Sequence, residues 1–123
     1  MIKNDSIYKL DNLAEINEFS NKIYKTTRQF PKEELFGLTS QIRRSAISIS
    51  SNIAEGSGRD GINDYLKFLN IAISSLFELQ TQIEIAKNIE YLQENEFVNL
   101  YEDTRELERM MVSYINKIKE NKK

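Results

Sequence analysis

The sequence predicts an all-α chain, an antiparallel up-down-up-down four-helix bundle forming one domain over residues 1–123. Three observations predict it. Apolar residues recur at spacings of three and four along four separate stretches. One proline and four glycines are too few breakers for a turn-rich β fold. A length of 123 residues, 40% hydrophobic and 29% charged, suits one core rather than two.

The first helix is expected over residues 8–28, through Leu10, Leu13, Ile16, Phe19 and Ile23. Phe30-Pro31 ends it. Pro31 suits the first turn of a second helix over 32–56, where its missing N–H is no loss. Glu33 and Glu34 follow where the helix dipole favours negative charge. The second helix carries Leu35, Leu38, Ile42, Ala46, Ile49 and Ile53 on its apolar face. Gly56-Ser57-Gly58-Arg59-Asp60-Gly61 closes it, with Gly56 expected in a left-handed cap.

The third helix is expected over 61–88, capped by Asp60 or Asn63. Its seam is Tyr65, Leu69, Ala72, Leu76, Leu79, Ile83 and Ala86, alternating gaps of four and three. The fourth is expected over 93–120, opened by Gln93 with Glu96 three residues on. Phe97, Leu100, Thr104, Leu107, Met111, Tyr114 and Ile118 form its seam. The lysine-rich end from Lys117 onward is expected to fray. Short connections make successive helices antiparallel.

Absent residue types narrow the chemistry. The chain has no cysteine and no histidine. That removes disulfides, thiolate metal sites, His-based acid–base catalysis and the Glu-x-x-His di-iron signature of some bundles. No catalytic residue, metal or cofactor is expected. The carboxylate pairs Glu94/Glu96 and Glu102/Asp103 read as a solvated face beside Arg105 and Arg109. Residues 56–61 spell G-x-G-x-x-G, but a helix precedes them where a dinucleotide site needs a strand. A looser phosphate contact at Arg59 is the remaining reading of that loop. The start, Met1-Ile2-Lys3-Asn4-Asp5, lacks a signal-peptide run, and no stretch reaches about 20 apolar residues. The expected location is cytoplasmic, away from membranes.

The net charge of −2 argues against indiscriminate coating of nucleic acid. Its distribution is uneven. Residues 22–59 carry seven basic and three acidic side chains, whereas residues 60–120 carry six basic and twelve acidic. Lys22, Lys25, Arg28 and Lys32, with Arg43, Arg44 and Arg59, form the candidate phosphate-contacting surface of helices 1 and 2.

Helix 2 is also unusually rich in serine, a mediocre helix former. Gln41, Arg44, Ser48, Ser51 and Glu55 recur at gaps of three and four, a polar stripe of small residues beside the apolar one. We expect this stripe to meet another subunit or a partner helix. A purely solvated face would use more lysine and glutamate.

The stretch Phe30-Pro31-x-x-Glu34-x-x-Gly37-Leu38-x-x-Gln41-Ile42-Arg43-Arg44-Ser45-Ala46-x-Ser48-Ile49-x-x-Asn52-Ile53-Ala54-Glu55-Gly56 resembles a known family. It is similar to bacterial four-helix-bundle proteins encoded in intervening sequences of 23S ribosomal RNA genes. That family in turn resembles accessory proteins of diversity-generating retroelements. Asp64-Tyr65-x-x-Phe68-Leu69-x-x-Ala72-x-x-Ser75-x-x-Glu78-Leu79 continues the pattern. The resemblance implies a ring-like homopentamer that binds RNA or DNA. In the retroelement relatives it implies a protein partner as well, a reverse transcriptase. Asn52, Glu55 and Gly56 belong to the resembling core. Asn52 and Glu55 read either as a buried polar pair closing helix 2 against a neighbour or as ligand contacts. The alternative to nucleic-acid binding is a scaffold that docks a partner protein.

Overall fold

The computed structural model describes residues 13–122. Four helices occupy them: α1 (Leu13–Thr27), α2 (Leu38–Ser57), α3 (Ile62–Asn88) and α4 (Glu94–Lys122). The expected helical residues 8–12 lie outside the described range. Contacts between neighbours follow one pattern. Tyr24 and Ser20 on α1 meet Arg43 and Ala46 on α2. Ser45 and Ser48 on α2 meet Glu78 and Ser75 on α3. Tyr65 and Gln80 on α3 meet Tyr114 and Glu108 on α4. In each case residue numbers rise on one helix as they fall on the other, as antiparallel neighbours require.

The seams pack as their spacing dictates. Ile16, Ile23, Ile42, Ala46, Ile49, Ala72, Leu76, Leu79, Ile83, Ala86, Met111 and Ile118 are each no more than 1% exposed. The Tyr65 and Tyr114 hydroxyls share a 2.8 Å hydrogen bond inside the core. Burial pushes the Tyr65 phenol above its ordinary range, and the Tyr114 hydrogen bond partly opposes that rise.

Helix 2 begins later than expected. Pro31 leads into a single 3-10 turn, Lys32–Glu34, and α2 starts only at Leu38. The Glu34 side chain explains the break. One carboxylate oxygen accepts the Leu38 N–H at 3.1 Å, capping α2, and the other accepts the Tyr91 hydroxyl at 2.7 Å. A Cβ on Gly37 would stand 2.6 Å from the capping oxygen, so glycine there keeps the clasp closed.

The end of α2 also corrects the expectation. No described glycine has a positive φ, and Gly56 lies within α2 rather than in a left-handed cap. It is glycine because α3 presses against it. An added Cβ would lie 2.6 Å from the Phe68 Cβ and 3.0 Å from Tyr65 Cδ1. Helix α3 has Gly61 at its N-cap position, where Asp60 or Asn63 was expected. It ends at Asn88 as expected, and the left-handed residue of the following turn is Glu90, at φ 69°. The Glu96 carboxylate accepts the Gln93 N–H at 3.0 Å, the expected capping geometry of α4. The helix continues to Lys122, past the lysine-rich stretch expected to fray.

Two carboxyls gain their partners only in the folded state. The Tyr91 hydroxyl and then the Leu38 N–H hold Glu34 below the ordinary carboxylate range; Gln29 and then the Gln93 N–H do the same for Glu96. Groups depressed by folding add stability above their unfolded pKa and lose it as pH falls through the folded one. Thermal stability should therefore decline as pH drops below about 4.5. A Glu34→Gln, Glu96→Gln double variant should be less stable near neutrality and show a shallower acid decline. Equal slopes in thermal melts between pH 6 and pH 3 would contradict this.

Candidate nucleic-acid interface

The seven candidate cations divide into different surroundings. Three have no ion-pair partner among the described residues. Lys25 in the last turn of α1, Arg28 just beyond it and Lys32 at the start of the 3-10 turn are all exposed, with no ion pair to any described residue. They follow one another along the chain from the end of α1 into its connection with α2.

The other four are occupied, displaced or distant. Lys22 reaches across to α4, where Asp103 pairs with it at 2.7 Å and Asn99 accepts a hydrogen bond. Arg43 is half-buried. Its Nε donates to Thr27 Oγ1 at 2.8 Å, and its guanidinium sits 4.7 Å from the centre of the Tyr24 ring. It ties the end of α1 to α2. Arg44 is exposed but faces the α2–α3 groove. Arg59 lies past the far end of α2, which is about 30 Å long at 1.5 Å per residue. It pairs with Glu55 at 2.9 Å and covers the Phe68 ring at 4.9 Å. Lys25, Arg28 and Lys32 are thus neighbours along the chain at the α1–α2 connection, Lys25 also lines the α1–α4 groove beside Lys22, and Arg44 and Arg59 lie elsewhere.

The serine-rich face of helix 2 has a partner within the chain. Ser45 donates to Glu78 at 2.9 Å, and the Ser48 and Ser75 hydroxyls lie 2.8 Å apart. Asn52 donates to the Ser48 carbonyl and hydroxyl at 2.8 and 3.0 Å. Asn52 and Glu55 are therefore not a buried pair. Asn52 is half-buried on its own helix, and Glu55 is exposed and bound to Arg59. Small residues at these positions let α2 and α3 approach closely while their hydroxyls find acceptors.

Beside this seam lies a groove of about 480 Å³, lined by Gln41, Arg44, Ser45, Ser48, Ser75, Glu78 and Gln82. Gln82 is only 8% exposed, and its Oε1 accepts no hydrogen bond from any described residue. Ile71, Ser75, Glu78, Gln82, Ile85 and Ile89 share one face of α3, at gaps of four and three. Three of them, Ile71, Ile85 and Ile89, are more than two-fifths exposed, as is Ile47 on α2.

The α1–α4 side differs. A groove of about 400 Å³ runs there between Glu15, Glu18, Lys22 and Lys25 on one wall and Asp103, Glu106, Leu107 and Met110 on the other. Besides Lys22, Gln29 spans to α4, donating to Glu96 at 2.6 Å. Among the described residues no group of carboxylates is placed to hold a metal ion. No described helix is long and apolar enough to cross a membrane.

Sequence reasoning missed the Glu34–Tyr91 clasp and the Arg43–Thr27–Tyr24 tie. The spacing from Glu34 to Gly37 and Leu38 is a signal for the cap. Nothing local announces Tyr91, 57 residues away.

Such a chain is an all-α four-helix bundle with polar contacts between its helices beside the apolar core. The sequence model of the 23S rRNA-intervening sequence protein family matches residues 8–113, and the chain belongs to that family. Among solved structures it is similar to a protein of unknown function from the S23 ribosomal protein family of Bacteroides thetaiotaomicron VPI-5482. That likeness has 25% identity and a TM-score of 0.78, covering 85% of this chain and 94% of the other. No curated protein matches the chain.

Proposed function

We propose that this protein is a non-enzymatic homo-oligomer that contacts RNA phosphates through the turn between α1 and α2. The observation that carries the reading is the sequence-local trio Lys25, Arg28 and Lys32, three exposed cations without carboxylate partners among the described residues. Lys22 and Arg59, two other candidates, are matched by carboxylates. Glu33 is the opposing exposed charge in the turn, since the Glu34 carboxylate is committed to Leu38 and Tyr91. Membership of a family named for a ribosomal RNA intervening sequence makes RNA the first ligand to test.

Assembly is proposed through the outer α2–α3 face, with a pentamer the state implied by resemblance. The partly exposed isoleucines and the unpartnered Gln82 carbonyl support that face. The same observations favour a second reading, a scaffold docking a protein such as a reverse transcriptase without nucleic acid. Ile71→Lys with Ile85→Lys, both exposed on this face, should reduce the oligomer mass in sedimentation, and an unchanged mass would remove this face from the assembly.

Titration of structured RNA at two salt concentrations separates the readings. Affinity should fall steeply with salt. Replacing Lys25, Arg28 and Lys32 by alanine should lower the slope of log K against log salt by about two to three, at roughly 0.7–0.9 per phosphate contact. Arg59→Ala should leave it unchanged, and Glu33→Gln should strengthen binding. Salt-independent binding, or none at low salt, would favour the scaffold.

A further inference from the structure

Phe36 stands almost wholly in solvent, at 94% exposure, in the turn between α1 and α2. The backbone around it is fixed on both sides. Leu35 N–H donates to the Lys32 carbonyl at 3.1 Å, Gly37 N–H to the Glu34 carbonyl at 2.9 Å, and Gln41 N–H to the Gly37 carbonyl at 3.1 Å. The Glu34 carboxylate then clamps this turn to Leu38 and to Tyr91 in the α3–α4 connection. A loose turn would fold a large ring onto the apolar surface nearby. This one holds its ring outward, so its exposure belongs to the fold. Single exposed apolar side chains are commonplace. A preset aromatic four residues from Lys32 and eight from Arg28, neither ion-paired to a described residue, is a more particular arrangement.

We propose that Phe36 is a stacking platform for an unpaired base of RNA, with Lys32 and Arg28 on the flanking phosphates. The proposal rests on the RNA reading above and narrows it to single-stranded or looped RNA. Every base offers a π face that an aromatic ring can cover, so such a platform tolerates any sequence. A base inside a duplex already has both faces covered by its neighbours, and sequence-tolerant stacking is therefore confined to loops, bulges and ends. The adjacent cations supply the charge complementarity that distinguishes this patch from a purely apolar docking point.

The full chain is titrated with a hairpin carrying an unpaired loop and with a fully paired duplex of equal phosphate number. Phe36→Ala should weaken hairpin binding about tenfold, leave duplex binding unchanged and leave the salt slope unchanged, because no charge is removed. Phe36→Tyr should retain hairpin affinity. The chain contains no tryptophan, so Phe36→Trp installs a single tryptophan, excited selectively over the six tyrosines, whose emission the loop should quench and the duplex should not. Wild-type hairpin affinity in Phe36→Ala, equal losses on both RNAs, or an unquenched Trp would overturn the proposal while leaving the phosphate reading intact. A smaller oligomer mass in Phe36→Ala at unchanged RNA affinity would assign the ring to contact between copies and overturn it also. Absence of salt-dependent binding to either RNA by the wild type would remove the phosphate reading and this proposal together.

Discussion

Replacement of Gly56 by alanine is expected to destabilise the fold by about 2 kcal/mol. Two effects oppose each other. Alanine favours a helix interior over glycine by about 1 kcal/mol, and Gly56 lies within α2. Against that, the new Cβ would stand 2.6 Å from the Phe68 Cβ and 3.0 Å from Tyr65 Cδ1. A Cβ is anchored to its backbone and cannot rotate away, so relief requires α2 and α3 to move apart. That movement would loosen the fully buried Tyr65 and its hydrogen bond to Tyr114. Strain should therefore outweigh propensity. Urea unfolding at constant m-value measures the difference, and a variant more stable than the parent would show that the helices separate freely here.

Leu79→Ala should cost about 3 kcal/mol, within the range for a buried leucine whose cavity cannot collapse. Leu79 is 0% exposed in the middle of α3, with Ala72, Leu76, Ile83 and Ala86 equally enclosed around it on that helix. Ile47→Ala on α2 is the control. Ile47 is 44% exposed, and truncation there should cost less than about 1 kcal/mol. Comparable losses at both positions would mean that the outer α2 face is covered in solution. Repeating the measurement across protein concentrations would then show whether a second copy covers it.

The architecture was legible because the seams were long and regular. Tyr65 through Ala86 kept its spacing for six turns, and each of those residues is buried. The Gln93–Glu96 cap was legible because it is local, requiring one carboxylate three residues from one N–H. The boundary at Pro31 was not. A proline at the first turn is compatible with both an α-helix and a 3-10 turn, and the choice was made by Glu34 through a hydroxyl 57 residues away. Gly56 misled for a related reason. Glycine serves left-handed caps and close helix crossings alike, and only the position of Phe68 separates them.

The candidate site was legible as a set of charges and not as a surface. Helical spacing says which cations share a face, but whether each is free depends on the facing helix. Lys22 found Asp103, 81 residues away, and Arg43 found the end of α1. The serine stripe of helix 2 was expected to meet another subunit or a partner helix; within the chain, Ser48 contacts Ser75 and the neighbouring Ser45 contacts Glu78, while Ser51 is exposed.

The uneven attachment of α1 has a consequence for the order in which the molecule opens. This helix buries Ile16, Phe19, Ile23 and Thr27, whereas α3 buries nine residues. Two polar bridges run from this side to α4, Lys22 to Asp103 and, just past the end of α1, Gln29 to Glu96. Such bridges weaken with salt, and apolar packing does not. Native-state hydrogen exchange should find the α1 amides least protected and α2 and α3 opening together near the global limit. Released α1 would uncover the Ile42–Ala46 side of α2, a surface that the α1 of a second copy fits as well as its own. The exchange of one helix between protomers would thus be a low-cost rearrangement for this bundle.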